Sequence, residues 1–559
     1  MLDQNENRPF DFRLLLAFAL MFAIVMIYWQ YVQPPGGKKT EEPPPVTGQP
    51  VDTATRAPRP LEEAQSEAEL LAVEDSGIAL AIDTILVETP LFTARLSTLG
   101  ADLIEYRLKE YHYITQNSVD ERVSLIPPQS ESVLRFEFWG EPLKLWQHAF
   151  VADTRRISLT DVEDSSTVTF SRVYADEYVI EKTYIFYGDR YSFDVVLSIP
   201  ANFPILLERE YTFGWDAGIE PTESDKKEDI GNIAAVAMLG QDIEEVKKIG
   251  DADRPKRFGG RVHWAGVRSK YFLNIIIPRT AQPQEFIADR RFGMITDESE
   301  QYRIPYFSSR FAVPLSPGKA INHRFTVYMG PLDYFIVKDY AVGFEGLLHL
   351  GWKFLIRPFA IFVLWSFQKL YGIIPNYGLV IILFGFLIKT IFHPLTKKSM
   401  ASMQRMKDLS PKLQKLRERF KNDSQRLNKE TMKLYKDAGF NPISGCLPLL
   451  AQMPVFFALY QVLRSSIQLR GAEFVAHIGD LSQKDSLYIL PIIMTLSFFW
   501  QQKMTSTDPK QKALVYIMPL VFGFLFAQSP AGLTLYWTIY NVFSVVEQYM
   551  IKAKKKKEG

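Results

Sequence analysis

The stretch NYGLVIILFGFLIKTIFHPLT, from Asn376 to Thr396, constrains this chain more than any other feature. About twenty nearly unbroken apolar residues make a helix long enough to cross a hydrocarbon core of about 30 Å. In lipid the backbone must satisfy its own polar groups, so the segment has to be helical. Its one fixed charge is Lys389. A lysine at the centre of a spanning helix costs roughly 2.5–3.5 kcal/mol, so something must compensate. One reading is snorkelling: Pro394 lies about 7 Å further along at 1.5 Å per residue, within reach of the lysine stem. The other is a water-containing groove among several spans.

Other apolar segments supply such spans. Cys446 to Leu463, Leu487 to Gln501, and Leu514 to Ile551 are each strongly apolar, the last broken at Gln528-Ser529-Pro530-Ala531-Gly532 into two. Near the N-terminus, FRLLLAFALMFAIVMIYWQYV carries one charge, Arg13, at its edge. A cleaved signal peptide would have a shorter apolar run and a small-x-small cleavage site, so an uncleaved anchor is expected. Six transmembrane helices result, over 12–32, 376–396, 442–465, 486–503, 513–528 and 532–551.

The chain between the first two spans is of another kind. Residues 33–76 are rich in Pro, Glu, Thr and Gln, too polar to offset chain entropy by burial, and read as a disordered linker. Over 77–332 the hydrophobic period changes to two. Tyr178, Ile180, Tyr184 and Phe186 share one parity; after Tyr187-Gly188-Asp189-Arg190, so do Tyr191, Phe193, Val195 and Leu197. That is a β-hairpin, and similar strands such as His263 to Pro278 make the region one large antiparallel β-sandwich. Its histidines (His112, His148, His263, His323) lack metal-ligand spacing, and it has no phosphate loop or nucleophile elbow, so neither enzyme activity nor a cofactor is expected. Residues 333–375 mix an apolar face with Lys353, Arg357 and Lys369, as an interfacial amphipathic helical region does.

Loop charge fixes the orientation. Lys397 to Asp437 carries thirteen Lys or Arg against five Asp or Glu, and the tail 552–559 carries Lys552, Lys554, Lys555, Lys556 and Lys557. Basic segments stay cytoplasmic. Residues 1–11, the segment 397–441, the loop 504–512 and the tail are therefore inside, and the β-domain and the loop 466–485 outside. The whole-chain charge of +1 gives no separate argument for nucleic acid. The single Cys446 allows no internal disulfide.

Leu409, Leu413, Leu416 and Phe420, then Leu427 and Leu434 beyond a turn at Lys421-Asn422-Asp423-Ser424, make the segment 397–441 a helical hairpin. Its charge fits positive-inside retention beside anionic lipid and equally fits docking on ribosomal RNA or a partner protein. Met400, Met403 and Met406 line one face, where they form either an adaptable client contact or ordinary hairpin packing. Within the spans, Gln452, Gln461, Gln502, Thr534, Thr538 and Asn541 are either helix-helix glue or the lining of a groove around Lys389. A transporter is the alternative use of a buried cation, but it would show inverted repeats and paired intramembrane acids, and these spans hold no Asp or Glu before Glu547.

The runs GFNPISGCLPLLAQMPVFFALYQVLRSSIQLR (Gly439 to Arg470), YILPIIMTLSFFWQQKM and SPAGLTLYWTIYNVFSVVEQ, with the NYGLVIIL span and VYMGPLDY (Val327 to Tyr334), closely resemble the YidC/Oxa1/Alb3 family of membrane protein insertases, of the Gram-negative bacterial type. The resemblance implies a multi-pass inner-membrane protein: a periplasmic β-super-sandwich without enzymatic activity, a helical transmembrane bundle and a cytoplasmic helical hairpin. It implies a substrate groove of Lys389, Gln452, Gln461, Gln502, Tyr536, Trp537 and Asn541, and a hydrophobic slide of Leu449, Phe456, Phe457, Phe522 and Phe526. It implies hairpin contacts at Met400, Met403, Arg405, Met406, Lys412 and Lys415. The implied partners are nascent membrane proteins, the Sec translocon, the ribosome through the basic hairpin and tail, and the lipid bilayer. The family's usual arginine is Lys389 here, and a frequent threonine one turn earlier is Gly385.

Overall fold

Alternating apolar residues need a sheet to cover them, and the segment 82–347 builds three. A computed structural model describes residues 82–558 except 115–120, 129, 131, 139–143, 175–177, 204–209, 250–253, 298–299, 317, 422, 439–446, 476 and 506–511. The expected anchor, the linker and Cys446 lie outside the described residues. The chain divides into a β-rich unit ending at Leu347 and a helical unit beginning at Leu348.

In the β-rich unit a nine-stranded sheet accompanies two five-stranded sheets. The expected hairpin is found: Tyr178–Tyr187 pairs antiparallel with Ser192–Ile199, Val195 facing Tyr184. Ile180, Tyr184, Phe186, Phe193, Val195 and Leu197 are all buried, as period two demands. The strands Val262–Arg268 and Phe272–Pro278 form a second hairpin. Phe272 to Ile277 are buried on both parities, so the sheet is covered on both faces at this strand. Phe186 and Phe193 reach Phe92 and Tyr106 of one five-stranded sheet, and Phe325 lies 4.5 Å from Phe213 of the other. One pairing is parallel, between Thr84–Glu88 and Arg156–Ser158. Two short helices, α1 (Lys226–Ile230) and α2 (Tyr334–Lys338), complete the unit. Asp333 caps α2 by accepting from Phe335 N at 2.8 Å. The chain then folds back: Trp264 Nε1 donates to Val342 O at 2.8 Å, and Arg268 donates to Leu347 O at 2.8 Å.

The helical unit holds α3 (Arg357–Tyr371), α4 (Tyr377–Arg419), α5 (Ser424–Asp437), α6 (Leu447–Ser465), α7 (Ile489–Thr505), α8 (Lys512–Phe526) and α9 (Ala531–Glu558). Helix α3 starts at Arg357-Pro358, where proline needs no intrahelical donor. It buries Ala360, Val363, Leu364 and Phe367, a helical stripe, and leaves Phe359, Phe362 and Trp365 exposed. Helix α4 is capped by Asn376, whose side chain accepts from Leu379 N at 3.0 Å, and runs 43 residues through Pro394 and Pro411. Its part Tyr377–Lys397 is 21 residues long and reaches a mean hydropathy of 2.0 over an 18-residue window, long and apolar enough to cross a bilayer. Further along, Leu409 and Leu413 pack against Leu434 and Tyr435 of α5.

The turn at Gln528-Ser529-Pro530 separates α8 from α9 as the composition suggested. The loop before α7 pins the start of α9 by accepting Ala531 N at Gln483 O (2.6 Å) and Gly532 N at Leu481 O (2.9 Å). In the same loop Asp485 accepts Leu487 N and Leu490 N, capping α7. Leu379, Phe386 and Ile391 of α4, Ile492 and Leu496 of α7, and Leu520 and Phe524 of α8 all face outward. This is the pattern of an element whose solvent is hydrocarbon rather than water.

Candidate functional site

Helices α4, α6, α7 and α9 gather polar side chains where an apolar bundle would need none. Lys389 lies on the inner face of α4, one position past Ile388, and is only 7% exposed. It does not reach out along its stem. Its ammonium donates to Ser544 Oγ at 3.0 Å, stands 2.8 Å from Glu547 Oε2, and sits 4.8 Å from the centre of the Tyr540 ring. Glu547 in turn accepts from His393 Nδ1 at 2.7 Å through its other oxygen, Oε1. A carboxylate can only accept, so against an ionised Glu547 the donor of this contact is the imidazole N–H.

Tyr540, Ser544 and Glu547 share a face of α9 because they are spaced four and three apart, and Lys389 and His393 share a face of α4 at a spacing of four. Two facing stripes thus close a small charged cluster. Its side chains are mostly buried, Lys389 at 9% and Glu547 at 10% exposure, with His393 half exposed at 52%. The pair resolves the cost of the buried lysine: opposite charges in contact at low dielectric offset much of the desolvation that each suffers alone.

One turn and more along α9, the same interior stays polar. Tyr536 is fully buried and accepts from Gln452 Nε2 of α6 at 3.2 Å. Asn541 is 1% exposed and donates to Ser497 Oγ of α7 at 3.3 Å. Trp537 Nε1 and Asn541 Oδ1 are buried with no hydrogen-bond partner among the described residues. Such atoms call for a polar visitor, whether water or a passing backbone. Thr538 Oγ1 bonds back to its own helix, donating to Thr534 O at 2.7 Å, while Thr534 Oγ1 donates to Phe526 O at the end of α8 at 3.3 Å.

The other expected site residues fall as follows. Gln461 is buried on α6 and Gln502 half-buried near the end of α7. Phe456, Phe457 and Phe526 are buried and Phe522 half-buried. They form a packed aromatic cluster, Phe456 lying 5.2 Å from Trp537 and 6.5 Å from Phe526, and Phe522 6.3 Å from Phe526. Lys412 and Lys415 are exposed and Met400 is half-buried on α4. The side chains of Leu449, Met403, Arg405 and Met406 lie outside the described residues.

Sequence reading passed over Tyr540, Ser544, Glu547 and His393 as site residues. The signal that finds them is the lone acid of the last span standing three residues past a serine, with a histidine one turn beyond the lone lysine. In the β-rich unit a cavity of about 260 Å³ is lined by Arg135, Trp146, Asp216, Arg291 and Tyr306. Its charges are already matched within the protein, Asp216 lying 3.5 Å from both Arg135 and Arg291. Among the described residues no group of three or more His, Cys, Asp or Glu is placed to hold a metal ion.

Two family models match the chain, one described as 60Kd inner membrane protein over residues 369–558 and one as YidC periplasmic domain over residues 84–362. A membrane protein insertase YidC from Syntrophus aciditrophicus is 34% identical over 558 residues, covering 97% of this chain and 99% of that protein. Another, from Chlorobaculum parvum, is 32% identical over 578 residues, covering 96% and 94%. Among solved structures, an active YidC insertase crystal structure with the first transmembrane domain resolved aligns with 88% of this chain and 99% of its own, at 18% identity and a TM-score of 0.37.

Proposed function

The chain belongs to the bacterial YidC/Oxa1 family of membrane protein insertases, and from that membership we propose how its own residues do the work. As a member it is an inner-membrane protein with a periplasmic β-domain that inserts membrane proteins and helps them fold, and it is not an enzyme.

In our reading six helices cross the membrane, both termini and the hairpin of α4 and α5 are cytoplasmic, and the polar interior around Lys389 is a groove that receives a client's hydrophilic tail. A client helix of about twenty apolar residues gains its insertion energy from lipid; the groove lowers the barrier for moving the short polar tail that precedes it. Lys389 draws acidic residues of that tail into the bundle. Gln452, Tyr536, Trp537 and Asn541 exchange hydrogen bonds with the tail backbone, and Gln461 and Gln502 extend the same polar lining. The client segment leaves along the aromatic side of α6 and α8, with Leu449, Phe456, Phe457, Phe522 and Phe526 in contact. Lys412, Lys415, Arg405, Met400, Met403 and Met406 on the hairpin engage the ribosome or the emerging client, and the Sec translocon is a partner for larger clients.

The observation that carries this reading is a lysine buried at 7% exposure in the one stretch, among the described residues, long and apolar enough to cross a bilayer, with Ser544, Glu547 and the Tyr540 ring around its ammonium. The test is complementation of insertase-depleted cells, scoring a small two-span client with an acidic tail. Lys389→Arg retains insertion, and Lys389→Ala and Lys389→Glu lose most of it. Full activity of Lys389→Glu with that client would sink the electrostatic role.

A further inference from the structure

The groove cation is not idle between clients, because it already holds a carboxylate of its own chain. We propose that Glu547 is a built-in competitor for Lys389: a client carboxylate reaches the ammonium by displacing Glu547, so Glu547 sets how acidic a tail must be to enter. The inference rests on the reading of Lys389 as the client-binding cation and adds a specificity-determining residue to it.

Geometry favours exchange over a fixed strut. Glu547 divides its two oxygens between two partners, Oε2 at 2.8 Å from Lys389 and Oε1 at 2.7 Å from His393. When a client carboxylate takes Lys389, Glu547 keeps His393, whose half-exposed ring lies at the open side of the cluster. The ammonium passes from one carboxylate to another while Ser544 Oγ, 3.0 Å away, stays as its acceptor, and Glu547 falls back on its contact with His393. A buried cation without an internal partner would be costly while waiting, and one with a partner it could not release would be useless to a client. The cost of displacement falls on the client, so a tail with one carboxylate competes poorly and a tail with several competes well, through the higher effective concentration of acid.

The test uses the full-length chain in insertase-depleted cells with clients identical except for the number of tail carboxylates, from none upward. The readout is the ratio of acidic-tailed to neutral-tailed client inserted. Glu547→Gln should raise the ratio for a single-carboxylate tail by about fivefold. Glu547→Asp, which keeps the charge but shortens its reach, should fall between this variant and the parent. An unchanged or lowered ratio for Glu547→Gln, with the protein at its normal level in the membrane, overturns the proposal. Should Glu547→Gln fail to accumulate, Glu547→Asp decides alone: a partial rise supports competition and no rise overturns it. The variant Lys389→Ala/Glu547→Gln, which removes both charges together, separates this inference from the reading beneath it. A ratio falling to one there, with no effect of Glu547→Gln, leaves Lys389 as the client cation and removes Glu547 from specificity. A parental ratio in the double variant dismisses Lys389 itself.

Discussion

Lys182 and Lys389 are both buried beside a single carboxylate, and the contrast between them shows what a buried lysine is for. Lys182 sits on the inward parity of its strand, between Ile180 and Tyr184, 3.9 Å from Asp102. Burial pushes its ammonium down to about 8, with Asp102 only partly opposing the shift. The folded chain then releases this proton near pH 8 while the unfolded chain keeps it to about 10.5. Between those values the unfolded state binds more protons, so this group makes stability rise with pH, by at most about 1.4 kcal/mol per unit; below pH 8 its cost is constant. Lys182→Met should remove that rise. Asp102 keeps Ser132 Oγ, Val133 N and Leu134 N as donors within 3.0 Å, so the β-domain should still fold. Unfolding curves followed through the buried Trp215 and Trp264 check this; parallel pH profiles for both proteins would refute it. Lys389 differs in having a close, exchangeable partner. Lys389→Ala leaves the buried Glu547 with His393 as its one remaining partner in the cluster and should lower thermal stability in detergent by about 3–5 kcal/mol, most of it recovered in Lys389→Ala/Glu547→Gln. Of the two lysines only Lys389 stands out in the sequence, as the one fixed charge of an apolar run. Lys182 shares the apolar parity of Ile180 and Tyr184, but its partner Asp102 is eighty residues away in sequence, and Glu547 falls inside the last expected span with nothing in the sequence that pairs it with Lys389.

At the scale of elements, period and composition fix type far better than they fix contact. The strands Tyr178–Tyr187 and Ser192–Ile199 are legible because one parity is apolar and a Gly-containing turn joins them. Helix α4 is legible as a span over its apolar part, but hydropathy measures hydrocarbon thickness and not helix length: the same helix runs on to Arg419 once its residues turn polar. Helix-helix approach is the least legible, since it depends on which small residue meets which partner. Gly523 of α8 shows this. A Cβ there would lie 2.2 Å from Thr495 Oγ1 of α7, which donates to Pro491 O at 2.7 Å and has little freedom to withdraw. Gly523→Val should therefore separate the two helices at a cost of about 1–3 kcal/mol, seen as a lower midpoint of thermal aggregation in detergent. Leu520→Val on the outward face, where Leu520 is 68% exposed, should change that midpoint little. Equal effects of the two substitutions would mean α8 does not pack on α7 through Gly523.

The whole molecule joins a periplasmic β-domain to a helical unit that exposes apolar side chains on α4, α7 and α8, and the positive-inside asymmetry of its loops predicts which side each occupies. With Cys446 replaced by serine, a cysteine at Lys248 should react with an impermeant maleimide from the periplasmic side, and a cysteine at Lys415 only after the inner membrane is opened. The reverse pattern would invert the topology on which a cytoplasm-facing groove depends. The central claim is that the charge at position 389 acts on the charge of the client's tail. It is tested most directly by reversing both, in proteoliposomes without a membrane potential. The protein is Lys389→Glu/Glu547→Gln, so that no pair of like charges is created, and the client is offered with its tail carboxylates intact or replaced by lysines. The account predicts that the variant inserts the lysine-tailed client better than the acidic-tailed one, the opposite of the parent's preference. The same preference in both proteins would contradict it.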